Sequence, residues 1–382
     1  MKILNRLADR YSKLQHLPEG VYHTQAMLAD EKPYRIHLRL RSDGTGLLIL
    51  NASTILHLNP TAAEYAYHFI KGSEPEQAAK EISSRYRVSK GLAFEDYTDF
   101  TDRIKTLLST PNLDPVSFLG MERVPPHSTQ LEAPLRLDCA LTYKLPEDSK
   151  IEHAPVKRVS RELSTDEWKT VIDKAWQAGI PHIVFTGGEP TLRNDLPELI
   201  AYCEKNGQVC GLLTEGLKLA DPAYLNELLQ TGLDHILFIL QPEADPSWKA
   251  LGTILAEDIF TAVHLTINTQ SVGLAEETIK RLAEMGVRNL SLSLMDDSLT
   301  TEFETLRNKA AGIEMQLIFD LPVPYSSSNP VTMETKEDSI NSGAGRTWLY
   351  IEPDGDVLPG QGLSDKILGN MMTDPWEKIY KP

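Results

Sequence analysis

The sequence predicts an α/β protein, a partial (β/α)6 TIM-like barrel preceded by a small winged-helix-like α+β domain. Three observations carry that expectation. From Leu135 onward, apolar strand-like runs alternate with amphipathic helical stretches, the pattern of a parallel sheet with crossover helices. Six or seven such units fill roughly 190 residues with no dinucleotide fingerprint, which suits a partial barrel better than a doubly wound sheet. Ahead of them, YRIHLRLR sets Tyr34, Ile36, Leu38 and Leu40 against Arg35, His37, Arg39 and Arg41, the alternation of a half-buried strand.

The remaining elements follow in order. Ser42 to Gly46 make a turn, and LLILNASTILHLN supplies one or two more strands. Asn59-Pro60-Thr61 opens a helix, and Tyr97, Phe100, Ile104 and Leu107 give another its apolar stripe. Residues 18–110 therefore read as three strands followed by three helices. Residues 111–134 hold Pro111, Pro115, Pro125, Pro126 and Pro134 without periodicity and are expected to be a linker. In the barrel, 135–325, RLDCALTY is the first strand, and the helix after it opens on Ser164 with Glu167 completing a capping box. PHIVFT, VCGLLTEG, HILFIL, FTAVHLTIN, NLSLSLM and MQLIFDL continue the strands. Residues 326–382 begin as a polar loop and end in WLYIEPDGDVLP, a hairpin turning at Asp354-Gly355.

Composition narrows the function. The 382 residues carry 54 acidic and 38 basic side chains, a net charge of −16. Without a basic cluster such a chain repels phosphate backbones, so nucleic acid is excluded as a partner. No run approaches the roughly 18 apolar residues of a membrane span. MKILNRLADRYSKLQ places Ile3, Leu4, Leu7, Tyr11 and Leu14 at helical spacing between charges, so residues 1–17 read as a docking helix rather than a signal peptide. A cytoplasmic location is expected. Three cysteines rule out a disulfide framework.

The candidate site is VFTGGEPTLRNDL, from Val184 to Leu196. A strand ends in Gly187 and Gly188, where backbone amides can approach a ligand closely. Glu189 adds a carboxylate able to hold an ammonium group, and Pro190 opens the following turn. The order of a first strand ending LTY, a second ending FTGGEP, a helix beginning RNDL and a third strand ending LLTEG resembles the radical S-adenosylmethionine enzymes over roughly 135–321. The N-terminal unit is similar to the peptide-recognition domain of enzymes that modify ribosomally made peptides. IEPDGDVLPG and LGNMMTDPWEKIY resemble the start of a SPASM-type extension. The resemblance implies that Gly187, Gly188, Glu189 and Pro190 bind the amino group of S-adenosylmethionine.

The same resemblance implies an iron–sulfur cluster held by three thiolates in a C-x3-C-x2-C motif after the first strand. Those positions here are Leu145, Ser149 and Glu152. Cys139, Cys203 and Cys210 lie elsewhere and are expected to be ordinary buried thiols, and Gly360 stands where the extension would place its first cysteine. Thr214-Glu215-Gly216 departs from the family's Thr-Asn-Gly. The expectation is therefore a protein with no iron–sulfur cluster, no metal site and no catalytic residue. It would be a degenerate relative that binds a peptide or a homologous partner enzyme, with Arg35, His37, Arg39 and Arg41 either solvated or facing an acidic peptide. The alternative is a non-radical enzyme using the GGEP pocket for S-adenosylmethionine or another amino-bearing ligand. In that reading Glu189, Asp148, Glu152 and His153 gather near the strands' carboxyl ends, where carboxylates and a histidine would also suit a hard metal ion.

Overall fold

The computed structural model describes residues 16–28, 33–110, 113–120, 131–147, 149–319, 321–335 and 343–381. The expected docking helix lies almost wholly outside them, as do Asp148 and parts of the linker and of the polar loop. The chain forms two compact units, Met1–Ser128 and Thr129–Pro382.

In the first unit, β1 (Gly20–Met27), β2 (Pro33–Leu40), β3 (Gly46–Leu50) and β4 (Thr54–Leu58) form an antiparallel meander in that order. Sequence periodicity misses β1, because GVYHTQAM does not alternate cleanly. The strand is fixed instead by pairing along the whole of β2, from Gly20 opposite Leu40 to Met27 opposite Pro33. Three helices follow: α1 (Pro60–Ile70), α2 (Pro75–Arg85) and α3 (Lys90–Ser109). The Asn59 side chain caps α1 by accepting from the Ala62 amide, and Ser89 caps α3. A five-residue helix, α4 (Pro115–Leu119), interrupts the expected linker. Ile36, Leu38 and Leu40 pack with Leu48, Leu56, Ala63 and Ile104.

The opposite face of β2 corrects an expectation. Arg35, His37 and Arg39 are 6%, 1% and 3% exposed, so this basic face is neither solvated nor open to an acidic peptide. Both faces of β2 are covered, and that burial overrides what two-fold alternation implies.

The second unit is built on a ten-stranded sheet. β5 (Arg136–Thr142), β6 (His182–Gly187), β7 (Val209–Thr214), β8 (His235–Ile239), β9 (Phe260–Ile267), β10 (Asn289–Leu294) and β11 (Gln316–Leu317) lie side by side and parallel. Between them run α5 (Thr165–Gln177), α6 (Leu196–Asn206), α7 (Pro222–Gln230), α8 (Asp245–Leu255), α9 (Val272–Glu284) and α10 (Thr300–Gly312). The capping box of α5 is present, with Ser164 and Glu167 bonded reciprocally. This α/β sheet fits a partial TIM-like barrel. The tail joins it: β12 (Trp348–Ile351) pairs parallel with β5, and β13 (Asp356–Leu358) and β14 (Gly369–Asn370) extend the edge before α11 (Trp376–Ile379). The turn at Asp354-Gly355 joins β12 to β13, with Gly355 at φ +91°.

Strand residues alternate between two cores. Leu137, Phe185, Leu212 and Phe238 pack on the helices. Val184, Leu213, Leu237 and Ala262 face the interior, where Ile318, Leu321 and Val323 pack on them. This alternation sets which side chains reach the mouth of the barrel at the strands' carboxyl ends. Among the described residues, no helix is long and apolar enough to cross a membrane.

Candidate functional site

The GGEP loop closes on the end of β5. Gly187 has φ +122°, and a Cβ there would stand 2.2 Å from the Thr142 carbonyl oxygen. A Cβ on Gly188 would stand 2.3 Å from that of Lys144. The backbones come this close because the Gly188 amide donates to Thr142 O at 2.7 Å and the Glu189 amide to Lys144 O at 2.8 Å. Both glycines thus serve a chain-on-chain contact, and these two amides are already committed.

The Glu189 carboxylate is committed as well. It is 3% exposed. Oε1 accepts from the Thr191 amide at 2.9 Å, from the Thr191 hydroxyl and from Thr214 Oγ1 at 2.6 Å. Oε2 accepts from the Glu215 amide at 3.0 Å. Four donors meet a carboxylate with about four lone-pair sites. Glu189 therefore ties the end of β6 to the end of β7.

The next carboxyl is different. Glu215 is also 3% exposed and shares the interior face of Leu213. Gln241 donates to Oε2 at 3.3 Å, but Oε1 has no hydrogen-bond partner. Burial, then the neighbouring Glu189 charge, push its pKa up to about 7, against smaller pulls from Ser326, the Ser327 amide and Gln241. Thr186, on the face of Val184 at the end of β6, keeps an unbonded Oγ1. A strap passes overhead: the Tyr325 amide donates to Gly187 O at 2.8 Å, and its ring packs edge-on against Tyr143 at 5.5 Å. The Tyr325 hydroxyl is buried and unpartnered.

Sequence reasoning placed Glu189 at the mouth but did not give Glu215, Thr186 or Tyr325 a role. The signal for Glu215 was its place directly after a barrel strand, where ligand-facing side chains collect. Nothing local marks Tyr325, which reaches the mouth from the polar loop.

The loop after β5 supplies no thiol. Leu145 packs on the cluster of Tyr143, Ala154, Tyr325 and Tyr350. The Ser149 amide closes a turn onto Pro146 O, and Glu152 is 74% exposed beside Lys150. His153 meets Ser327 at 3.4 Å rather than joining Glu189. The three cysteines are fully buried on the helix side of the sheet. Cys203 lies beside Cys210, and burial holds the Cys203 and Cys139 thiols well above the usual range. Among the described residues, no group of three His, Cys, Asp or Glu is placed to hold a metal ion.

Residues 139–242, from β5 to just beyond β8, match the Radical SAM superfamily. The PqqA peptide cyclase of Granulibacter bethesdensis is 35% identical over 113 residues, 29% of this chain and 30% of that protein. The PqqA peptide cyclase of Rhizobium meliloti is 26% identical across 59% of this chain and 67% of its own length. The chain thus spans under a third of the first relative and two thirds of the second. Among solved structures, Streptococcus suis SuiB bound to S-adenosylmethionine superposes with a TM-score of 0.58 at 17% identity, covering 91% of this chain and 87% of that one. SuiB bound to precursor peptide SuiA gives 0.57 at 15% identity, covering 94% and 89%. The structural likeness establishes the fold, and the segment around the GGEP loop matches the Radical SAM superfamily.

These findings correct two expectations. Missing cysteines had implied a catalytically degenerate binding protein, but the sequence relatives are peptide cyclases, which points to peptide-modifying chemistry. The expectation of no iron–sulfur cluster is overturned with it, because the matched superfamily normally pairs such a cluster with S-adenosylmethionine. Leu145, Ser149 and Glu152 do not themselves fit a cluster, since none offers the soft thiolate it requires. No step of chemistry is routed through them.

Proposed function

We propose that this chain is a peptide-modifying enzyme of ribosomal-peptide maturation that binds S-adenosylmethionine at the barrel mouth. The observation that carries this reading is the pair of buried carboxyls, Glu189 and Glu215, beside the GGEP loop at the strands' carboxyl ends. Ligands of such barrels bind at that end, and a buried anionic mouth suits a ligand with an ammonium and a sulfonium. The first unit serves as the peptide-recognition domain in this reading. Among the described residues its sheet ends at β1 and β4, and a precursor peptide would add there as a further strand, gaining affinity from backbone hydrogen bonds.

Two measurements test the reading. Calorimetric titration with S-adenosylmethionine should give saturable binding that Glu189→Gln weakens, and incubation with candidate precursor peptides should give micromolar capture and a mass change in the peptide. A chain that binds neither S-adenosylmethionine nor a peptide would sink it.

A further inference from the structure

The strap that crosses the mouth lies on the GGEP loop itself. Its Tyr325 amide donates to the Gly187 carbonyl at 2.8 Å. Its Ser326 side chain is fully buried, and Ser326 with the Ser327 amide favours the ionised form of the Glu215 carboxyl. The strap thus brings N–H and O–H donors to the mouth, the same chemistry that an ammonium-bearing ligand would bring. Ile318 to Thr347 join β11 to β12, a connection well beyond the usual length and of the kind that serves as a lid or binding loop.

Two parts of the strap are held differently. Ile318, Leu321 and Val323 pack against Val184, Leu213, Leu237 and Ala262 on the interior face, which makes them an apolar anchor. Beyond Val323 the chain makes a turn that bonds to itself. The Ser326 amide donates to the Asn329 carbonyl at 3.0 Å, and the Asn329 amide to the Ser326 carbonyl at 3.2 Å. Ser326 Oγ accepts from the Ser328 and Asn329 amides, and Asn329 Nδ2 donates to the Val323 and Pro324 carbonyls at 3.2 and 3.3 Å.

A turn bonded to itself keeps those bonds when it lifts. Its hold on the rest of the chain is slighter. It consists of the Tyr325 bond to Gly187, the packing of the Tyr325 ring with Tyr143 and Tyr350, a 3.4 Å contact between Ser327 and His153, and the Gln361 bond to the Val323 carbonyl at 2.9 Å. Closure also has a cost, because the Tyr325 hydroxyl is buried without a partner and water would satisfy it once the turn lifted.

We propose that residues 324–329 are a built-in competitor for the barrel mouth, an autoinhibitory turn that lifts from Gly187 before the ligand binds while Ile318, Leu321 and Val323 stay as its anchor. This rests on the reading that S-adenosylmethionine binds at the mouth, and adds the step that gates it. The chain's apparent affinity is then its intrinsic affinity reduced by the fraction of molecules with the turn lifted.

The test is calorimetric titration of the full chain and two variants with S-adenosylmethionine, with hydrogen–deuterium exchange of the strap read alongside. Tyr325→Ala removes the ring contacts, and Gln361→Ala removes a tether that comes from the tail. Tyr325→Ala should tighten binding about fivefold, the effect of taking an aromatic pair from the closed state. Gln361→Ala should tighten it about threefold, the effect of one hydrogen bond. Saturating ligand should speed exchange of the amides of residues 325–329 in the wild type. Weaker binding in both variants, with slower exchange on adding ligand, makes the strap a wall of the pocket and overturns the proposal. Unchanged affinity and exchange overturn it too, since the strap then has no bearing on the mouth. Either result leaves S-adenosylmethionine binding standing. If none of the three proteins binds, the reading of the mouth fails and the gate fails with it.

Discussion

The two ends of the barrel's inner face bury similar polar residues in opposite ways. At the amino ends of the strands, Arg136 binds Asp138 through both nitrogens, at 2.7 and 3.1 Å, and lies 5.2 Å from the Trp348 ring centroid. His182 and His235 share a 2.8 Å hydrogen bond. At the carboxyl ends, Glu189 is saturated while Glu215, Thr186 and Tyr325 keep unbonded atoms. Burial alone therefore does not distinguish a structural polar group from a functional one. On the inner face satisfaction separates the two ends: at the base these groups are bonded to one another, whereas at the mouth three polar atoms have no hydrogen-bond partner.

The largest expected effect comes from breaking the closed end. Arg136→Met strands a fully buried carboxylate and should cost about 3–5 kcal/mol at neutral pH, read by urea unfolding, with S-adenosylmethionine affinity unchanged in the fraction that folds. If binding falls as much as stability, the two ends are not separate. Gly187→Ala forces a Cβ to within 2.2 Å of the Thr142 oxygen at φ +122° and should cost about 3 kcal/mol or more. Because it also displaces the GGEP loop, this change should abolish binding.

Next comes pH. Glu215 has a pKa of about 7 against an ordinary 4.5, so between those values the folded state holds a proton that the unfolded state has lost. Stability from this group is thus full below about pH 4.5 and is lost as pH rises through 7, by roughly 3 kcal/mol. The buried histidines act in the other direction. His235 is lowered to about 4 and His264 to about 3, both by burial first, so their contribution is lost as pH falls below the ordinary histidine value. Chemical denaturation of wild type and Glu215→Gln across pH 4–8 separates the two, because the histidine part cancels in the difference. A difference that does not grow between pH 4.5 and 7 would refute the buried-carboxyl account.

The smallest effects sharpen the contrast within the mouth itself. Thr214→Val removes a hydroxyl that donates to Glu189 and accepts from the Gly216 amide at 2.8 Å, and should cost about 1–2 kcal/mol. Thr186→Val removes a hydroxyl with no partner and should leave apo stability within about 0.5 kcal/mol or raise it. Equal losses from the two would remove the distinction between satisfied and unsatisfied positions.

Much of this was legible in the linear chain, and the failures have physical causes. Strand and helix alternation after Leu135, the Ser164–Glu167 capping box and the turn at Gly187-Gly188 are local patterns, complete within a few residues. GVYHTQAM became a strand only by pairing with β2, and Arg35, His37 and Arg39 were buried because both faces of β2 are covered, which an alternating pattern does not reveal. Glu189 was recognisable as a mouth residue, but its saturation depends on Thr214, 25 positions away.

By itself, then, the sequence determined the alternating α/β architecture, the glycine-bearing loop at the end of its second barrel strand, and the absence of thiols in the loop after the first. Those features depend on periodicity, backbone freedom and residue chemistry, which travel with the chain. The tertiary structure alone decided that β12 extends the barrel sheet beside β5, that the strap's Tyr325 sits over Gly187, and that Glu215 rather than Glu189 keeps an open acceptor. Hydrogen-bond satisfaction depends on register and on which distant donors arrive, and no local window of sequence contains that information.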